Sequence, residues 1–232
     1  MFSKTVVIFL ILVTTASAAS TVDIRLGLAQ IYALPYGGWD WGDYDASNNK
    51  RAYVSDIGYE IAFNDWSANF DLRTLILPGE ENSVAVIADL QGRFYFSKAP
   101  VRVYVAPGLG YNHTEKRMPT WVGPAGRSKR DYFRFPVTFG VKAVSGNKYL
   151  DICYRIAPEV PMGDLGDHYF DEARDFYLEQ AIEGEFGWAF SKHFGMTGKA
   201  GAVKGNYATT INSGEDASAY VPFVEIGPSI YF

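Results

Sequence analysis

Apolar and polar residues alternate along most of this chain, which places every second side chain on one face of an extended strand. Val22, Ile24, Leu26 and Leu28 share one phase, with Asp23, Arg25, Gly27 and Ala29 in the other. The period returns in Tyr53, Ile57, Tyr59, Ile61 and Phe63 against Asp56, Gly58 and Glu60, and in Phe70, Leu72 and Ile76 against Asp71 and Arg73. Val84, Val86, Leu90 and Phe94 oppose Asp89, Gln91 and Arg93, and Val101, Val103, Val105 and Leu109 oppose Arg102, Tyr104 and Gly108. Next come Phe133, Phe135, Val137, Phe139 and Val141 against Arg134, Thr138 and Lys142, then Leu150, Ile152, Tyr154 and Ile156 against Asp151, Cys153, Arg155 and Glu159. Phe176, Leu178, Ile182, Phe186 and Trp188 oppose Glu179, Glu183 and Glu185, and weaker runs follow over Phe194 to Val203 and Tyr220 to Phe232. The pattern predicts ten half-buried strands of roughly 9–13 residues, the length a tilted strand needs to cross a bilayer. No helical period competes.

The connections add a second signal. Those after the even-numbered strands are short: Asn64 to Ser67, Ser97 to Pro100, Ser145 to Lys148 and Ser191 to His193. Those after the odd-numbered strands are mostly long and polar: Ala33 to Arg51, Asn112 to Asp131, Pro161 to Asp175 and Gly205 to Ser218, with only Pro78 to Ser83 brief. Short turns at one end and long loops at the other are the asymmetry of bacterial outer-membrane barrels, whose short turns are periplasmic.

Alternation alone does not say which phase faces inward, because a soluble lipocalin-like barrel shows the same period turned inside out. Two features favour the membrane. The apolar phase carries essentially no charge, as lipid demands and water does not. The strand ends beside the short turns carry Phe63, Trp66, Phe94, Phe96, Trp188, Phe190 and Phe194, which reads as an aromatic girdle. The expected fold is therefore all-β: a transmembrane, antiparallel, up-and-down barrel of about ten strands, with eight as the alternative. A closed barrel is the one non-helical structure that satisfies its backbone in lipid.

The start of the chain reads as an export signal occupying residues 1–18. Lys4 gives the positive region, Val6 to Thr15 the apolar core and Ala16-Ser17-Ala18 the small-residue cleavage site, leaving 19–232 as the barrel. Composition agrees: 37 aromatic residues and 23 Gly suit twisted strands, tight turns and membrane interfaces. A net charge of −5 argues against nucleic acid as a partner. Cys153 is the single cysteine, so neither an intrachain disulfide nor a lipid-anchoring Cys after the cleavage site is available.

The cleavable signal, the alternating strands and the last strand Val224-Glu225-Ile226-Gly227-Pro228-Ser229-Ile230-Tyr231-Phe232 resemble the small outer-membrane β-barrel superfamily of Gram-negative bacteria. The resemblance covers the whole mature chain as an architecture and matches no single family. It implies outer-membrane lipid and lipopolysaccharide as surroundings. It also implies that Ile230 and Phe232, as the alternating apolar end of the last strand, are read by the barrel-assembly machinery. Pro228 departs from that signal, which has an ordinary strand residue there.

The polar phase holds the most unusual chemistry. It places Asp23, Asp56, Glu60, Asp71, Asp89, Asp151, Glu159, Glu179, Glu183, Glu185 and Glu225 in the lumen, facing Arg25, Arg73, Arg93, Arg102, Arg134, Lys142, Arg155 and Lys199. Charges confined in a narrow tube must pair or change protonation, because unpaired burial costs several kcal/mol per ion. A barrel of ten strands lies near the filled end of the size range. The expected result is a salt-bridged interior, with a narrow, slightly cation-preferring conduit as the sharper alternative.

Two loops carry further candidate chemistry. Asp164, Asp167, His168 and Asp171, with Glu172 and Asp175, form an acidic rim cluster. Such a set suits a rim-sited hydrolase of protein or lipid, or Ca²⁺ held by carboxylates, but its spacing matches no protease or calcium motif and solvated surface is the plainer reading. Lys116, Arg117, Arg127, Lys129 and Arg130, with Trp121 among them, make a basic loop able to clamp lipopolysaccharide phosphates. His113 and His168 lie on the long-loop side and His193 in a short turn, and no flanking pattern marks a nucleophile. With no Gly-rich phosphate loop and no Cys/His metal set, no cofactor is expected. The sequence reads as a non-enzymatic surface or envelope barrel with weak passive conductance at most. The rim hydrolase and the soluble exported binding barrel are its rivals.

Overall fold

A computed structural model describes residues 19–33, 50–63, 65–77, 83–98, 100–117, 127–162, 177–205 and 219–232. The strands are β1 (Ala19–Ala33), β2 (Lys50–Ala62), β3 (Trp66–Leu77), β4 (Ser83–Tyr95), β5 (Val101–Arg117), β6 (Arg127–Arg134), β7 (Val137–Ser145), β8 (Lys148–Pro161), β9 (Tyr177–Ala189), β10 (Phe194–Gly205) and β11 (Ala219–Tyr231). Apart from β6 and β7, which both pair with β5 and β8, each pairs antiparallel with its neighbours in sequence, and β1 pairs with both β2 and β11, so the sheet closes on itself without a free edge.

Eleven strands make ten barrel staves, because β6 and β7 are one stave interrupted at Phe135-Pro136. Both lie between β5 and β8. The register is unchanged across the gap, with Arg134 opposite Gly110 and Val137 opposite Pro107. Pro136 has no N–H to give the ladder. The sequence alternates straight through this position, so periodicity alone does not reveal the break. The count is ten, not eight.

The phase also decides inside from outside. Ile24, Leu26, Leu28, Phe70, Leu90, Val103, Phe139, Ile152, Ile182 and Val224 point outward and are exposed, while Arg25, Asp56, Asp89, Arg134, Asp151, Glu179, Glu183 and Glu225 are buried in the lumen. A soluble lipocalin-like barrel would have these faces exchanged, so that alternative is excluded. At the short-turn end Phe63 stacks on Trp66 at 4.0 Å between ring centroids, and Trp188 meets Phe190 edge-on at 5.6 Å. With the exposed Phe94, Phe96 and Phe194 they form the expected girdle. Ile230 and Phe232 sit on the same outward phase beside the closing seam, where the Phe232 N–H donates to the Ser20 carbonyl.

A further correction concerns the long-loop end. The segment expected to be a loop over Asn112 to Asp131 is largely strand: β5 runs on to Arg117, and β6 begins at Arg127 with Glu115 opposite Lys129. Near the short-turn end Pro228 weakens one seam, since β1 and β11 pair from Thr21 to Asp23 and again from Leu26, but skip the positions facing Gly227 and Pro228.

Glycines in the lumen phase make room for tyrosine rings. A Cβ on Gly140 would stand 2.3 Å from Cζ of Tyr104, and one on Gly187 2.0 Å from Cε1 of Tyr149. Each tyrosine lies across the glycine directly opposite on the neighbouring strand. Tyr104 has little freedom to withdraw, because its hydroxyl donates to Asp151 at 2.8 Å and the Arg93 guanidinium lies 4.3 Å from its ring centroid. Gly140→Ala is expected to lower stability by about 1–3 kcal/mol through overpacking. Gly184→Ala, whose new Cβ would meet its nearest neighbour at 4.0 Å, serves as the near-neutral comparison. Urea unfolding of both variants checks this, and equal midpoints would show that the ring is free to move aside.

Candidate functional site

The lumen is where the chemistry collects, and it has two layers. Toward the long-loop end, Ala29, Ala52, Val54, Leu75, Ala85, Ile87, Ala181, Val203, Val221 and Phe223 form one apolar cluster inside the barrel. All belong to the phase that is charged elsewhere in the same strands. In most strands the acids and bases that join across the tube lie below them, toward the short turns, while Glu179 stands on the long-loop side of Ala181.

Arg134 anchors one end of this network. Its guanidinium, with no exposed side-chain surface, donates to Glu179 at 2.8 and 2.9 Å and to Glu159 at 3.0 Å, with Nε 3.1 Å from Asp89. Arg155 continues from Glu179 to Glu183 at 3.1 and 3.0 Å. Lys199 and Arg73 both meet Glu183 at 3.1 Å and also reach Asp56, at 3.3 and 3.5 Å. Arg25 then links Asp56 at 3.3 Å to Glu185 at 2.7 Å. These contacts span the lumen: Arg25 is on β1 and Glu185 on β9, strands that are not neighbours.

A second, smaller group lies nearer the short turns. Arg93 meets Asp151 at 3.0 Å and stands 3.9 Å from Glu60, which receives Lys142 at 3.2 Å. Arg102 lies apart from these pairs, with its guanidinium 5.3 Å from the Tyr95 ring centroid. Every lumen residue named from the sequence thus faces the interior, and all but Arg102 enter an ion pair among the described residues.

Several members were not singled out from sequence. Tyr104 and Tyr149 donate to Asp151 and Glu185, the latter at 2.5 Å. Gln91 donates to Thr138 at 2.9 Å, and Asn112 to Glu159 at 3.2 Å. Their signal is in the sequence, since each falls on the polar phase, but formal charge does not mark them. A cavity of about 70 Å³ remains between the two groups, lined among others by Asp23, Arg25, Asp71, Arg93, Glu185 and Lys199. Cys153 also lines it and is free.

The rim cluster Asp164, Asp167, His168 and Asp171 lies outside the described residues, as do residues 1–18. His113 is placed: it faces outward on β5, with Nδ1 2.7 Å from Asp131, which also accepts from the Tyr111 hydroxyl. No group of three or more His, Cys, Asp or Glu side chains converges as a metal site among the described residues.

No protein-family model matches the sequence, and no curated protein does. Solved structures are similar. The outer membrane protease OmpT from Escherichia coli superposes with a TM-score of 0.53 at 10% identity, over 95% of this chain and 100% of that one. Neisserial surface protein A gives 0.44 at 11% identity over 91% and 97%. The attachment invasion locus protein Ail of Yersinia pestis gives 0.38 at 11% over 92% and 99%. Closure by β1 and β11, the outward apolar phase and the superposition along the whole of OmpT together make this a ten-stranded barrel of the outer-membrane type.

Proposed function

We propose that this protein is an integral outer-membrane barrel without enzymatic activity, closed to bulk flow by its own side chains and serving as a surface or envelope component. The observation that carries this reading is the transverse ion-pair network. Arg25 to Glu185, Arg73 to Glu183, Lys199 to Asp56 and Arg93 to Asp151 each cross the tube rather than line its wall. A water-filled pore keeps its charges on the wall, where solvent screens them. Charges joined across the middle occupy the path an ion would take. The apolar layer of Val54, Leu75, Ile87, Val203 and Phe223 supports the same reading, because a dry constriction opposes ion passage. Outer-membrane lipid bathes the apolar phase, with lipopolysaccharide against its outer half.

Planar-bilayer recording on refolded protein tests this. The expected trace stays at baseline, and Arg93→Ala raises it only modestly, because Lys142, Tyr104 and Gln91 remain in place. Large, stable, ohmic steps from the wild type would replace this reading with a porin.

A further inference from the structure

The wall of the barrel carries a line of lost backbone pairs. β4 and β5 pair down to Gln91 opposite Gly108 and again from Phe94 opposite Val105, but skip Arg93 against Ala106 and Gly92 against Pro107. On its other side β5 skips Gly108 and Leu109 against Pro136 and Phe135, and β8 skips Ala157 and Pro158 against the same two residues. Pro107, Pro136 and Pro158 each lack an N–H, so the losses fall side by side across four staves. β10 has no such gap: it pairs with β9 and β11 at every position from Gly195 to Lys204. The gap faces lipid through the exposed Leu109 and Phe135, where an unpaired backbone group is costly.

The side chains around this line set how far it can give. On the long-loop side Arg134 ties Asp89 of β4 to Glu159 of β8, at 3.1 and 3.0 Å. On the short-turn side Arg93 of β4 meets Asp151 of β8 at 3.0 Å. Between these two clamps the Gln91 side chain crosses the gap from within. Its amide nitrogen donates to the Ala106 carbonyl at 3.2 Å and to the Thr138 hydroxyl at 2.9 Å, joining β4 to the backbone of β5 and to β7. Gly108 leaves the path clear, since a Cβ there would stand 2.6 Å from Cγ of Gln91. The lumen residues behind the gap, Ala106, Pro136 and Ala157, are small, uncharged and buried.

We propose that this level is a latched window in the wall, at which the Phe135-Pro136 segment parts from β5 and β8 while the rest of the barrel stays shut. Gln91 is the latch, and the Arg134 and Arg93–Asp151 clamps are the upper and lower frame. Three features suit this place to opening. Fewer ladder bonds have to break there than elsewhere along these strands. The side chains uncovered toward lipid are Ala106, Pro136 and Ala157, whereas Arg134, Glu159 and Arg155 hold the next lumen positions. The frame spans β4 to β8, so an opening stops at the clamps instead of running along the seam. The window leads sideways into the lumen and leaves the pairs from Arg25 to Glu185 and from Arg73 to Glu183 intact.

Hydrogen–deuterium exchange of the refolded full-length barrel in phosphatidylcholine vesicles tests this. In the wild type, peptides carrying Gly108 and Leu109, or Val137 and Thr138, exchange on the order of tenfold faster than β10 peptides carrying Ala200 to Ala202. Gln91→Met keeps the length of the side chain without its amide. It raises exchange at the window by a further factor of about five and leaves peptides carrying Tyr132 or Ile152 unchanged. Thr138→Val removes one arm of the same latch and gives a smaller rise, should the methionine variant not refold. Pro136→Val returns an N–H to the ladder and slows the window toward the β10 rate. Window peptides as protected as β10 in the wild type overturn the proposal. So does fast exchange that ignores Gln91→Met, since those amides would then be permanently unpaired and no opening would be needed. Exchange that spreads past Arg134 and Asp151 overturns it as well, because the wall would be unzipping as a whole.

Discussion

Arg134→Ala lowers the stability of the folded barrel by about 3–5 kcal/mol, the cost of removing one partner from a buried charge cluster. The change strips Glu179, Glu159 and Asp89 of a cation that touches all three. Asn112 still donates to both oxygens of Glu159, at 3.2 and 3.3 Å, but carries no charge. Arg134→Lys recovers only part of the loss, because an ammonium cannot reproduce the two parallel bonds from Nη1 and Nη2 to Glu179. Urea unfolding from lipid vesicles measures both. A loss below about 1 kcal/mol for the alanine variant would mean that water screens the site as it does an exposed pair.

Phe139→Arg is expected to cost about 2–4 kcal/mol, as a cation on the lipid-facing side of a strand deep in the bilayer does. Phe139 lies on β7 with its ring exposed on the apolar phase, flanked by Val137 and Val141. Ser145→Arg, in the short turn of the same hairpin, stays within about 0.5 kcal/mol of wild type. Thr138→Arg also loses stability, for a different reason: Thr138 is buried and accepts from Gln91, a bond the change removes. Heat-modifiable migration and vesicle unfolding distinguish the three. Equal tolerance of Phe139→Arg and Ser145→Arg would mean that no lipid covers this face.

The strands were legible because lipid enforces a rule that water does not. Leu26, Phe139 and Ile182 had to be apolar and their neighbours had to be anything else, so period and phase appear in the bare sequence. The identity of the lumen charges followed from phase alone. Their pairing did not follow. Whether Arg73 meets Glu183 or Asp89 depends on strand tilt and stagger, which set the height of each side chain in the tube and leave no mark on a two-residue period. The apolar lumen layer was hidden for a related reason. Val54, Leu75, Ile87 and Phe223 sit in the polar phase of strands whose charged positions lie further down, and a whole-strand reading averages the two. The added length of β5 and β6 was masked by Lys116, Arg117, Arg127 and Lys129, a run of charge that reads as loop in the sequence.

The transverse ion pairs also bear on how such a barrel assembles. A hairpin such as β1–β2 or β8–β9 contains Arg25 and Asp56, or Arg155 and Glu183, but none can form the contacts from Arg25 to Glu185 or from Arg93 to Asp151. Those bonds come into existence only when the sheet has curled until opposite walls face each other. A slip of two residues between strands would keep every apolar side chain in lipid, and phase alone would not penalise it. The same slip would shift each acid by a full side-chain step from its base. The charges in the lumen thus act as a proofreading lattice for strand registration, silent while the sheet is open and decisive as it shuts.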